Sequence, residues 1–154
     1  MKLKNVVPWI LVFLWIIFIF SNSLIIGEVS GNISGHFSAI LMSFINKAGF
    51  TIDSQLFHHY IRKAAHFSEY AALGFLTVHA CAATSAQHKP LLFLLLWILV
   101  PACDETIQLF VPDRAGALRD CLIDMSGYIT GAFCMYVLLL IIRDLRKRTA
   151  CFHQ

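Results

Sequence analysis

The sequence predicts an all-α integral membrane protein, a four-transmembrane-helix bundle with an interfacial amphipathic helix between spans one and two. Two observations carry that expectation. Apolar residues make up 58% of the chain and charged residues only 14%, where soluble domains average ~25% charged. The apolar residues also fall in blocks of about twenty, the length a helix needs to cross hydrocarbon, and not in the alternating ten-residue strands of a closed barrel. In lipid a helix satisfies its own backbone hydrogen bonds, which leaves few other folds open. The 154 residues suit one domain, and neither the formal net charge of +3 nor any motif suggests a nucleic-acid partner.

The first span is expected over 6–26, VVPWILVFLWIIFIFSNSLII. It exceeds the apolar region of a signal peptide and no A-x-A site follows, so it reads as uncleaved. Pro8 lies near its start, where proline is tolerated. Residues 27–61 read as a long connection whose irregular beginning is marked by Gly27, Gly31 and Gly35. Within it, residues 36–50 place Phe37, Ile40, Leu41, Phe44, Ile45 and Ala48 at three- and four-residue spacing. Such a stripe suits a helix lying on the membrane surface or packing against its own bundle. The second span is expected over 64–84, the third over 91–110 and the fourth over 120–142, with a basic tail after it.

Lys2, Lys4, Lys89, Arg143, Arg146, Lys147 and Arg148 fall on one side of a four-span chain, against Lys47, Arg62, Lys63, Arg114 and Arg119 on the other. The excess predicts that the first side, with both termini, is cytoplasmic. The basic tail would then meet anionic inner-leaflet lipid. The five scattered cysteines lack a CxxC spacing and read as small hydrophobes, with a Cys103–Cys121 disulfide left open.

Three polar clusters then fall at the extracytoplasmic ends of three spans. In RKAAHFSEYAALG (62–74), Arg62, His66, Glu69 and Leu73 step by four, three and four along one helix face. In DETIQLFVPDR (104–114), Asp104 and Gln108 are four apart and Glu105 and Gln108 three apart. In RDCLIDMSGYITG (119–131), Asp120, Asp124, Gly127 and Gly131 share a face, and the two glycines form a GxxxG pair suited to close helix approach.

Acids at the C-terminal end of an outward-running helix oppose its macrodipole by a few tenths of a kcal/mol each. Asp104 and Glu105 therefore call for a basic partner or a cation. Pro101, just before them, lacks the N–H that would bind the carbonyl of Trp97 and favours a kink. Glu69 and Asp124 lie deepest, about one to two turns inside their spans; a charge placed centrally costs at least ~2.5 kcal/mol, and one near the interface less. The inventory sets Arg62, Lys63, Arg114 and Arg119 against Glu69, Asp104, Glu105, Asp113, Asp120 and Asp124, four positive against six negative. A metal ion, a protonated His66 or a protonated carboxyl would meet the surplus, unless several of these groups are simply solvated at the interface.

These motifs resemble the VanZ-like family of small membrane proteins over roughly residues 9–135. RKAAHFSEYAALG is similar to the family's K-x-x-H-F-x-E-Y-x-x-L-G, DETIQLFVPDR to its D-E-x-x-Q-x-F-x-P-x-R, and RDCLIDMSGYITG to its D-x-x-x-N-x-x-G-x-x-x-G. WIIFIFSNS (15–23) is similar to its aromatic first span ending in small polar residues. Asp124 departs from the pattern, standing where the family usually has asparagine. The resemblance implies a protein of the bacterial cell membrane with a part in resistance to teicoplanin-type glycopeptides. It strengthens the polar clusters as a site without naming a reaction.

Two functions fit. As a binding protein, the chain would hold an anionic lipid headgroup, a lipid-linked wall precursor or a glycopeptide. Arg62, Lys63 and Arg114 would engage phosphate, with Tyr70, Gln108, Asp120 and Asp124 completing the ligand-binding set. As an intramembrane enzyme acting on a lipid phosphate or headgroup, it would use His66 as acid, base or nucleophile, with Glu69, Asp104 and Glu105 beside it. Asp104, Glu105, Asp120 and Asp124 would then be candidates to bind a divalent cation.

Overall fold

The computed structural model describes residues 3–25, 27–47, 49, 53–84, 89–112, 114 and 116–152. Those residues form five helices and no strand: α1 (Leu3–Ser23), α2 (Gly27–Lys47), α3 (Ser54–Ala83), α4 (Lys89–Leu109) and α5 (Leu118–Phe152). Three of them, α1, α4 and α5, are long and apolar enough to cross a membrane. The chain is an integral membrane protein.

Several boundaries differ from those expected. Pro8 lies inside α1 and past its first turn, because the helix already begins at Leu3. The segment 27–35 is helical despite its three glycines, which weaken a helix by about 1 kcal/mol each without breaking it. Gly49, at φ 88°, turns the chain only after α2 has ended. The connection also stops earlier than 61. Asp53 caps α3, its carboxylate accepting the N–H groups of Gln55 and Leu56 at 2.8 and 3.3 Å, so residues 54–61 are drawn into the helix. RKAAHFSEYAALG therefore lies well inside a 30-residue helix and not at its lip. At its other end the chain stays helical through the basic tail to Phe152, with an exposed Asp144–Arg148 pair one turn apart.

The helix directions follow from their contacts. Trp9 donates to Thr84 and Trp15 to the Glu69 carbonyl, so α1 runs antiparallel to α3. Trp97 donates to the Met125 carbonyl and Tyr128 to the Phe93 carbonyl, so α4 runs antiparallel to α5. Gln108 meets Ser23, and α1 and α4 are parallel. All three tryptophans of the chain thus tie one helix to the next through the indole N–H.

The closest packing is between α3 and α5. A Cβ on Gly127 would strike the Phe67 carbonyl, and one on Gly131 would strike the Ala71 carbonyl. From the other side, a Cβ on Gly74 would strike the Tyr128 carbonyl. The GxxxG pair does bring two backbones together, and Gly74 supplies the answering gap. Around this seam Val12, Ile19, Tyr70, Leu73, Ala80, Val100 and Tyr128 form the core. Phe13, Leu14, Leu99, Phe133 and Ile141 face outward, as lipid-facing residues would. On α2, Ile40, Leu41 and Phe44 are exposed and Ser38 is buried, so the apolar stripe turns away from the bundle.

Candidate functional site

The helix directions bring one end of each long helix together: the C-terminal ends of α1 and α4, the N-terminal half of α3 and the start of α5. The three polar clusters meet there, in a centre shielded from bulk water. Tyr70 and Asp104 are 0% exposed, Asp124 and Ser23 1%. Glu105 and Gln108 are also buried.

Several of the charged side chains are already engaged. Glu69 accepts the side-chain amide of Asn22 at 2.9 Å. Glu105 accepts the backbone N–H of Ala117 at 2.8 Å, while Gly116 sits against the Glu105 carbonyl with no room for a Cβ. Glu105 thus fastens the α4–α5 connection. Lys63 is ion-paired with Asp120. Arg114 donates to the carbonyls of Ile25 and Asn22 at 3.1 and 3.0 Å, which ties the α4–α5 connection to the end of α1. Burial, and Arg62 nearby, pull the Arg114 pKa below the usual arginine value. Among the four sequence-predicted cation ligands, Glu105 and Asp120 are therefore committed elsewhere.

A second group faces inward with atoms left over. Gln108 donates to Oδ2 of Asp104 at 3.2 Å, leaving Oδ1 without a partner. Both carboxylate oxygens of Asp124, Nδ1 of His66 and the Tyr70 hydroxyl are likewise buried and unbonded. The Tyr70 hydroxyl is near enough to Asp104 to interact, but no bond of good geometry closes between them. One ligand atom each from His66, Asp104 and Asp124 lies within 4.8 Å of the others. Beside them is a small cleft of ≈ 10 Å³ lined by Arg62, Lys63, His66, Gln108, Asp120 and Asp124, room for about one water.

The VanZ/LLP1 family model matches residues 8–141. The chain belongs to that VanZ-like family. Neither a curated protein nor a solved structure matches it. The match spans α1 through most of α5 and so contains every side chain of the polar centre.

In this VanZ-like chain, the sequence-predicted residues divide into three groups. His66, Asp104, Asp124, Tyr70 and Gln108 converge at the centre. Arg62 and Lys63 line the cleft, Lys63 with its partner Asp120. Glu69, Glu105 and Arg114 stand around them in supporting bonds. Arg119 is exposed, and Asp113 lies outside the described residues. Asn22 and Ser23 belong to the site but were not among the candidates. The polar run Ser21-Asn22-Ser23 closing an apolar span was their signal, and it reads equally well as a span reaching headgroup level. Cys103 and Cys121 are both free thiols.

Proposed function

We propose that this VanZ-like protein crosses the membrane four times, with both termini cytoplasmic, and binds an anionic lipid headgroup at an extracytoplasmic polar site. The helix directions support the topology. Because α1 and α4 run one way, α3 and α5 run back, and α3 at about 1.5 Å per residue is long enough to span. Lys89, Arg143 and Arg146 gather at the end opposite the polar centre, which supports a cytoplasmic placement for that end. The exposed Ile40, Leu41 and Phe44 suit α2 to the interface beside the site.

One observation carries the binding reading. Arg62 is half-buried on the wall of the cleft and has no acidic partner among the described residues, whereas Lys63 has one. A guanidinium in that position offers a fork to phosphate. The cleft itself is too small for a headgroup, so phosphate would sit at its mouth. Partners of this chemistry include membrane phospholipids and a lipid-linked wall precursor, and holding the latter would connect the site to glycopeptide tolerance. The test is native mass spectrometry of the purified protein with defined lipids, alongside teicoplanin susceptibility of cells carrying Arg62→Ala. Preferential retention of an anionic lipid, reduced by Arg62→Ala, is expected. No lipid preference, with full tolerance kept by the variant, would exclude the reading.

The second reading is an intramembrane enzyme acting on a lipid phosphate or headgroup. The observation favouring it is the group of unsatisfied atoms on His66, Asp104 and Asp124. Phosphate release from a labelled lipid, abolished by His66→Ala, would establish it. No release by the wild type would remove it.

A further inference from the structure

We propose that His66, Asp104 and Asp124 form a binding site for a divalent first-row transition-metal ion. Each comes from a different helix, α3, α4 and α5, and no local sequence motif joins them. Their ligand atoms nonetheless lie within 4.8 Å of one another. All three side chains also carry buried atoms left without hydrogen bonds, namely Asp104 Oδ1, both oxygens of Asp124 and His66 Nδ1.

Burial makes this arrangement costly for as long as the two carboxylates stay charged. Two aspartates at 0% and 1% exposure are cut off from bulk water. A buried carboxylate without a partner is among the most costly groups a protein can hold. No nearby cation among the described residues forms an ion pair with either, because Lys63 pairs with Asp120 and Arg114 donates to the carbonyls at the end of α1, from where it reaches Asp104 only through its field. Arg62 lines the cleft at Asp124 but forms no ion pair with it. A divalent cation would neutralise both aspartates at once.

The donor set selects the class of metal. One imidazole nitrogen with carboxylate oxygens suits zinc and its first-row neighbours. Calcium takes six to eight oxygens, more than are gathered here. Ligand atoms in a tetrahedral zinc shell stand roughly 3.4 Å apart, so modest side-chain rotation would close the three onto an ion. The surroundings also have the form of an outer shell. Gln108 holds Oδ2 of Asp104 and is itself held at Ser23, which fixes the carboxylate while Oδ1 stays without a partner. Three protein ligands would leave a coordination position open, and the one-water cleft beside Arg62 is lined by two of them, His66 and Asp124. The site holds under either reading of function given above.

The experiment is elemental analysis of the full chain in detergent, stripped with chelator, reloaded with Zn²⁺ or Mn²⁺ alone and desalted. The wild type should retain about one equivalent per chain and gain thermal stability on reloading. Asp124→Asn, nearly the same shape, should lose both responses while the stripped protein keeps its helical circular dichroism. Glu105→Gln and Asp120→Asn should keep stoichiometric metal. If the wild type retains no metal and its melting temperature does not move, the proposal is overturned. It is equally overturned if Asp124→Asn and His66→Ala bind as the wild type does. Because no lipid is added, failure of headgroup binding in the earlier test leaves this result untouched.

Discussion

Asn22 and Glu69 show how the polar centre is kept in place one residue at a time. The Asn22 amide on α1 reaches across to the Glu69 carboxylate on α3, at a depth where water offers little competition. Asn22→Leu should cost about 1–2 kcal/mol by leaving that carboxylate under-satisfied, read as a lower melting temperature in detergent. Asn22→Leu combined with Glu69→Leu should recover much of the loss, because no unsatisfied acid remains. The residues of this centre were unevenly legible. His66, Asp104 and Asp124 stand out because ionisable groups inside apolar spans are rare and need a reason. Ser23 and Asn22 do not, since small polar residues at a span's end need none. Only tertiary packing separates the charges that meet at the centre from those, such as Glu105 and Asp120, that serve a loop or a salt bridge.

At the scale of elements, the α3–α5 seam and the start of α3 make separate predictions. Gly131→Leu would drive a side chain into the Ala71 carbonyl and force the two helices apart. A loss of more than about 3 kcal/mol, or failure to yield folded protein, is expected, while Phe133→Ala on the exposed face should be nearly neutral. Asp53→Ala removes the cap of α3 and should cost about 1 kcal/mol, with faster hydrogen exchange over 54–57 and no change further along the helix. The GxxxG spacing made the seam legible from one side. Its counterpart Gly74 was not, because a single glycine in a helix carries no partner's address. The true start of α3 was hidden for a related reason. Residues 54–61 interleave Leu56, Phe57, Tyr60 and Ile61 with Ser54, Gln55, His58 and His59, so hydropathy places them outside a span, whereas a capped helix continues regardless of what surrounds it.

For the whole molecule, the even alternation of helix directions gives a direct test of topology. In a chain with its native cysteines replaced, Ser54→Cys should react with a membrane-impermeant maleimide added to intact cells. Lys147→Cys should react only after the membrane is opened. Labelling of both from outside, or of neither, would rule out the four-span arrangement. The membrane class and the bundle were legible from composition alone, because block length and apolar fraction are set by the bilayer. How many helices cross was less so, since α3 carries its polar site within its own length and falls short of the apolarity of the other three.

The contact of Gly74, Gly127 and Gly131 with the facing backbone also decides which parts of the protein can move. Helices touching backbone to backbone have no layer of side chains to slide on, so α3 and α5 behave as one rigid body. His66 and Asp124 are therefore mounted on a common frame, and their spacing is set before any ligand arrives. Asp104 is mounted on α4, where the buried Pro101 leaves the Trp97 carbonyl free of its helical bond and the rod more compliant. The site is a vise with one fixed jaw, and any change in its span falls to the helix that carries the other.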